Sequence, residues 1–191
     1  METLLNIDIT IFYFINKTIA NPVLDKIFVL LTIQENWYIA YAILIYFMLT
    51  KYNWRGRIFL IVLVLTIITS DQLSSHLIKE LVGRIRPCHS LSDIRLLVPC
   101  GGGKSFPSSH AVNNFAFAIV LGTFFKQYRT HFLTIATLIA ISRVYVGVHY
   151  PSDVIAGALL GLLIGLIFAY FYNNFIQKII EKLMVEKNES S

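Results

Sequence analysis

The chain has 191 residues, of which 56% are hydrophobic and only 14% charged, with a mean hydropathy of +0.66. An ordinary soluble core cannot hide that much apolar surface, so lipid is the expected solvent and a water-soluble domain is excluded. The formal net charge is +5, and no nucleic-acid partner is expected.

The first residues, METLLNIDIT, carry an acid early and no basic segment before an apolar one, so no cleavable signal peptide is expected. The apolar stretches 4–20 and 22–33 are interrupted by Asn6, Asp8, Asn16, Lys17, Pro22, Asp25 and Lys26. They are expected as amphipathic helices on the membrane surface, making residues 1–33 interfacial, with a crossing by part of them as the alternative. Runs able to cross about 30 Å of hydrocarbon follow at 36–52, 57–79, 110–126, 131–148 and 153–175. The prediction is an all-α integral membrane helical bundle of about five transmembrane helices, six if the N-terminal part also crosses. It forms a single domain with a transmembrane core over 36–175 and a cytoplasmic tail over 176–191. Asp71 and Gln72 are the clear polar interruption within a span and are read as helix-to-helix hydrogen-bonding residues. Gly157, Gly161 and Gly165 line up small residues on the last span for close packing; that glycine is simply common in membrane helices is an equal reading.

Orientation comes from the loops. KYNWRGR (51–57) and FKQYRTH (125–131) are basic without an acid, and the tail holds Lys178, Lys182 and Lys187, so these belong in the cytoplasm. The segment 80–109 and the turn near 149–152 then face the periplasm or exterior of a cell (inner) membrane.

Several polar residues collect on that outer face. KELVGRIRP ends the second span with Lys79, Arg86 and Pro87; FPSSHAVNN opens the third with Pro107, Ser108 and His110; SRVYVGVHYPSDVIAG joins the last two with Ser142, Arg143, His149 and Asp153. Three basic side chains near two histidines suit a phosphate group, whose charge must be neutralised and whose oxygens must be hydrogen-bonded while bonds at phosphorus change. Ser108 and Ser109, just before His110 at a helix start, add free backbone N–H groups and a favourable helix dipole. A lone arginine at a membrane edge usually snorkels to headgroups and a lone histidine usually packs, but so many ionisable groups together at lipid mark a functional site.

These residues resemble the three-part signature of the type 2 phosphatidic acid phosphatase family. Lys79 and Arg86-Pro87 have six residues between Lys and Arg, then come Pro107-Ser108-Ser109-His110, then Ser142-Arg143 with His149 and Asp153. That family includes bacterial polyprenyl diphosphate phosphatases, phosphatidylglycerophosphate phosphatases and lipid A phosphatases. One departure is visible: the second motif usually has glycine before its histidine, and here it is Ser109. The resemblance implies that His149 attacks phosphorus and forms a phosphohistidine. Asp153 binds its other ring nitrogen, and His110 protonates the leaving oxygen and then activates water. Lys79, Arg86 and Arg143 would hold the phosphoryl oxygens, supported by Ser108, Ser109 and the backbone; no metal or other cofactor is needed.

Other readings carry less. GGGKS (101–105) is not a nucleotide phosphate loop, because the required earlier glycine falls on Val98. A metal site from His110, His149 and Asp153 is opposed by three flanking cations. A membrane transporter or channel with an anion-binding site is the alternative function, but its charges should continue through the helices rather than sit at one edge. The expected partners are the bilayer and a membrane lipid substrate, delivered by lateral diffusion beneath an outer loop, 87–107. Undecaprenyl diphosphate, lipid A 1-phosphate, phosphatidylglycerophosphate and phosphatidic acid all remain open. No signal of oligomeric state is read. Cys88 and Cys100, both in that loop, are compatible with a disulfide worth about 3 kcal/mol or with two free thiols.

Overall fold

Helix starts and stops follow local chemistry. In the computed structural model, which describes residues 2–180 and 182, α1 (Glu2–Tyr13) runs into a π turn over Phe14–Thr18. Asn21 then caps α2 (Pro22–Thr32), its side-chain oxygen accepting from the backbone N–H of Val23 and Leu24 at 3.1 and 3.0 Å, with Pro22 at the first helical position. A 3-10 turn at Gln34–Trp37 leads into α3 (Tyr38–Lys51). Next come α4 (Asn53–Asp71), a π segment (Gln72–Ile78) and α5 (Lys79–Val82), which together form one rod ended by Gly83 at φ +64. A single turn, α6 (Pro87–Ser90), lies in the outer loop. The rest is α7 (Ser109–Phe124), α8 (Arg129–Tyr145) and α9 (Pro151–Phe171), the last continuing helically to Ile180. Among the described residues there is no strand, only an isolated bridge between Ile85 and Lys104.

All-helical architecture is therefore observed, and each expected apolar run contains a helix. Among the described residues two helices, Asn53–Val82 and Pro151–Ile180, are long and apolar enough to cross a membrane. The pair Pro22–Thr32 and Gln34–Lys51, bent by 71°, makes a third if it is one broken span. At 16 residues α7 reaches only about 24 Å at 1.5 Å per residue. Apolarity alone made the expected runs at 110–126 and 131–148 too long, because Phe125, Lys126 and Val146–Val148 lie outside α7 and α8. The last helix, conversely, outruns the expected boundary at 175, so the tail expected from 176 begins as helix; Lys187 lies outside the described residues.

The bundle is organised around α7, which packs against α4, α8 and α9. Contact with α9 is close because the α9 stripe has no side chains. A Cβ at Gly157 would meet the Ser108 carbonyl oxygen at 2.7 Å, at Gly161 that of Val112 at 2.3 Å, and at Gly165 the Ile119 side chain at 2.8 Å. The glycine spacing is thus a packing surface. The end of the bundle away from the Lys79 cluster is closed by aromatic packing, with Phe59 4.5 Å from Phe124 and 5.2 Å from Tyr172, ring centre to ring centre. Asp71 reaches α7 through Asn113, whereas Gln72 is exposed.

The N-terminal helix is not oriented as a surface helix with its polar side to water. Asp8 and Asn16 are buried against protein, while Leu5, Ile7, Ile11 and Phe14 are exposed. Asn16 donates to the carbonyls of Arg95 and Tyr145, both at 2.8 Å, and accepts from the Arg95 N–H at 2.9 Å, which fixes the outer loop to α8. That loop is also closed by a Cys88–Cys100 disulfide, with Cα atoms 6.2 Å apart. The glycine stripe generates a stability test. Gly161→Ala should destabilise the protein by about 1–3 kcal/mol through overpacking. Gly102→Ala, where a Cβ meets nothing within 4 Å, should leave it unchanged. Thermal unfolding in detergent measures both, and equal midpoints would contradict the packing.

Candidate active site

Three chain reversals bring the polar residues to one end of the bundle. Arg143 occupies the last turn of α8, and its carbonyl accepts from the N–H groups of Val148 and His149 at 3.1 and 3.2 Å. Gly147, at φ +90, permits that reversal, and a Cβ there would also lie 2.6 Å from the Arg95 carbonyl oxygen. Pro151 then starts α9, and Asp153, at its third position, accepts from the Tyr150 N–H at 2.8 Å as an N-terminal cap. The Ser108 N–H donates to the Asp153 carbonyl at 3.0 Å, which pins the start of α7 to the start of α9.

His149 and Asp153 are almost wholly enclosed, at 1% and 0% exposure. His149 Nδ1 lies 3.4 Å from Asp153 Oδ2, one helical turn on. The carboxylate is held from several other sides. Oδ2 also accepts from Ser105 Oγ and the Tyr150 N–H, and Oδ1 accepts from Arg84 at 2.8 Å. With Nδ1 directed at a carboxylate, the imidazole leaves Nε2 for other chemistry. Burial pushes the His149 imidazole down to about 4, against the raising effect of its hydrogen bond with Asp153. The ring is therefore neutral, with a free lone pair, near pH 7.

Facing this pair is a set of unsatisfied donors. Arg86 Nε, Arg143 Nε and Ser108 Oγ are buried and have no hydrogen-bond partner among the described residues. Leaving one such group unmet costs about 1–3 kcal/mol, more when it is charged, so three together describe a receptor for an anion. The remaining bonds of the arginines hold them in place: Arg143 donates to Thr32 Oγ1 at 2.6 Å and Arg86 reaches the Val148 carbonyl at 3.5 Å. Lys79 donates to Ser109 Oγ at 2.8 Å, and Ser109 also shares a hydrogen bond with Ser75 at 2.9 Å. The serine that stands where the family signature has glycine is thus a partner of Lys79. Ser142 turns its hydroxyl back to the Ile139 carbonyl at 2.6 Å, within its own helix. His110, in the first turn of α7, and Ser109 line a cavity of about 440 Å³ that continues between α3, α4 and α7.

Sequence reasoning singled out Lys79, Arg86, Ser108, Ser109, His110, Arg143, His149 and Asp153, and all lie at this end of the bundle. It overlooked three others. Arg84 bridges Asp153 to Asp8, at 2.8 and 2.6 Å, and stacks 3.9 Å over the Tyr150 ring. Asp8 in turn accepts from the Ser152 N–H and hydroxyl at 2.9 and 2.5 Å. Ser105 is the serine of the discarded GGGKS run, and the first arginine of GRIRP, two residues before Arg86, was the available signal for Arg84. Among the described residues, one group of His, Cys, Asp or Glu has ligand atoms close enough to share an ion: Cys88, His89 and Cys100 in the outer loop, where both sulfurs are in the disulfide.

Comparison with known proteins agrees with this geometry. The lipid A 4'-phosphatase of Bacteroides thetaiotaomicron is 34% identical over 168 residues, covering 84% of this chain and 74% of that protein. The crystal structure of Aquifex aeolicus LpxE superposes with a TM-score of 0.66 at 28% identity, covering 84% of this chain and 93% of that one. A transmembrane PAP2-type phosphatidylglycerolphosphate phosphatase from Bacillus subtilis superposes with a TM-score of 0.70 at 25% identity, covering 92% and 89%. The family model for the PAP2 superfamily matches residues 57–177, from the start of α4 through the glycine stripe of α9, so the chain belongs to the PAP2 superfamily.

Proposed function

We propose that the protein is a membrane lipid phosphatase that hydrolyses a phosphate monoester or diphosphate headgroup through a phosphohistidine on His149. The observation that carries this is the pairing of a neutral, carboxylate-tethered His149 with three buried donors that have no partner. In the first step the Nε2 lone pair of His149 attacks phosphorus. The bond from phosphorus to the lipid oxygen breaks, and His110 gives that oxygen a proton. In the second step His110 takes a proton from water, whose oxygen attacks phosphorus and releases phosphate and neutral His149. Arg86, Arg143, Lys79, Ser108 and the first backbone N–H groups of α7 hold the phosphoryl oxygens throughout. No step requires a metal. The apolar walls of the adjoining cavity favour a lipid substrate, with polyprenyl diphosphate, lipid A 1-phosphate, phosphatidylglycerophosphate and phosphatidic acid as the panel to assay. The alternative of a transporter or channel is not favoured, since the relatives compared above are named as phosphatases and the charges cluster at one end of the helices.

The reaction scheme fixes the mutant pattern. His149→Ala should abolish phosphate release from purified protein while leaving insertion and folding intact, and Asp153→Asn should leave a weaker enzyme. His110→Ala should lower kcat about 10²–10⁴-fold on an alkyl lipid phosphate and less on an activated aryl phosphate, which leaves without a proton. Vanadate should inhibit and chelators should have little effect. Normal turnover by His149→Ala, or chelator loss restored by a divalent metal, would contradict the scheme.

The membrane arrangement that serves this reaction has five spans and an interfacial N-terminal region over 1–33. The site and the outer loop face the periplasm or exterior of a cell (inner) membrane, and the C-terminal end is cytoplasmic, following the acid-free basic loops at 51–57 and 125–131. With Cys88 and Cys100 replaced by serine, an impermeant maleimide applied to intact cells should label Lys104→Cys and spare Gln127→Cys. The reverse pattern would invert the topology.

A further inference from the structure

Asp71, Ser75 and Lys79 stand four residues apart on the rod that runs through α4, the π segment and α5. Ser75 Oγ meets Asp71 Oδ1 at 3.1 Å, but Lys79 is about 12 Å from Asp71 by helical rise, too far for a direct ion pair. Ser109, the first residue of α7, fills the interval. Its hydroxyl oxygen accepts from Lys79 Nζ at 2.8 Å and shares a hydrogen bond with Ser75 at 2.9 Å. Four side chains from two helical rods thus form one unbroken chain of hydrogen bonds from an ammonium to a carboxylate.

The direction of that chain follows from counting protons. An ionised carboxylate only accepts, so the single hydroxyl proton of Ser75 goes to Asp71. The bond between the two serines must then use the proton of Ser109, while Ser109 Oγ accepts from Lys79. Every link is polarised towards Asp71, so the oxygen that Lys79 meets is a stronger acceptor than a lone hydroxyl. Ser109 is left with no proton for a phosphoryl oxygen. Its neighbour Ser108, whose Oγ is buried without a partner among the described residues, has one to give. Two adjacent serines therefore have different tasks.

Charge pairing points the same way. Among the described residues neither Lys79 nor Asp71 makes a direct ion pair. Glu80, next to Lys79 in the chain, is paired with Lys104, and Asp153 is committed to Arg84 and His149. Asp71 is the acid left for Lys79, and it is steadied from α7 by Asn113 Nδ2 at 3.4 Å, with Ser70 donating to Asn113 Oδ1 at 2.8 Å. An ammonium carries three N–H donors on a flexible stem; one bond to Ser109 fixes its direction and leaves two for phosphoryl oxygens. We infer that Asp71, Ser75 and Ser109 are positioning residues that act through Lys79, a hydroxyl relay that supplies its counter-charge and aims it at the phosphate, and that Ser109 Oγ is not itself a phosphate ligand. The inference rests on the phosphatase reading above.

Its test is a double-mutant cycle read by the Kd of orthovanadate, measured by calorimetry on purified protein in detergent, beside kcat/KM for an aryl phosphate. Ser109→Gly, Ser75→Ala and Asp71→Asn should each weaken vanadate binding about tenfold, the scale of one hydrogen bond to a charged group, and lower kcat/KM by a similar factor. Ser109→Thr, which keeps the hydroxyl, should hold both near their wild-type values. In a Lys79→Met protein the same three substitutions should change vanadate affinity by about twofold at most, because the group they act through is gone. Equal losses with and without Lys79, the pattern of a packing defect, would overturn the relay alone. So would a costly Ser109→Gly beside harmless Ser75→Ala and Asp71→Asn, which would make Ser109 a direct ligand and needs no Lys79→Met protein to detect. Wild-type protein that neither hydrolyses the aryl phosphate nor binds vanadate would overturn the phosphatase reading and the relay with it.

Discussion

The Asp153 carboxylate, sealed from solvent, is the group on which the site depends, because it gathers the Ser105 hydroxyl, the Tyr150 N–H, the Arg84 guanidinium and the His149 ring from three separate parts of the chain. A buried charge with fewer partners would be strongly destabilising, so these partners have to be in place for the fold to hold. Each of them then fixes something else. Tyr150 sets the start of α9, Ser105 anchors the end of the outer loop, and Arg84 carries the connection to Asp8 on α1. The orientation of His149 is a by-product of satisfying Asp153, and for that reason it can be held without a hydrogen bond to its other nitrogen.

Packing delivers the geometry and electrostatics uses it. The bare stripe of α9 lets the backbone of α7 approach within contact distance, so that the Ser108 N–H can meet the Asp153 carbonyl. That contact places the first turn of α7, with its free N–H groups, beside the histidine. A larger residue at Gly157 would press on the Ser108 carbonyl and separate the two helix starts, so small residues far from any chemistry are part of the site's construction. The segment from Arg84 to Ser105 supplies Arg84, Arg86 and Ser105 and is tied by the Cys88–Cys100 disulfide and, at Arg95 within it, by Asn16.

What the sequence made legible was local in the chain. His149 and Asp153 are four residues apart, Lys79 and Arg86 seven, and Ser108 and His110 two, so spacing alone places each set on one turn or one helix end. Contacts with Asp153 and Asp8 that span 48, 69, 76 and 144 residues left no such trace, which is why Ser105, Arg84 and Asp8 went unread. The orientation of the N-terminal helix was not legible for a different reason. Amphipathicity shows that a helix has two faces but not which solvent each meets, and here the polar face turns to protein and the apolar face outward. Span lengths failed at α7 and α8 because apolar loop residues are indistinguishable from apolar helix residues by hydropathy.

The central claim, that His149 becomes covalently phosphorylated, is tested most directly in the His110→Ala protein supplied with an aryl phosphate. Attack can proceed there, because the leaving group needs no proton, while activation of water is impaired and the intermediate accumulates. Mass spectrometry of peptides recovered under alkaline conditions, where phosphohistidine survives, should find a phosphoryl group on His149 and on no other residue. Continued release of phosphate by this protein with His149 never modified, or with the phosphoryl group on a different side chain, would contradict the account.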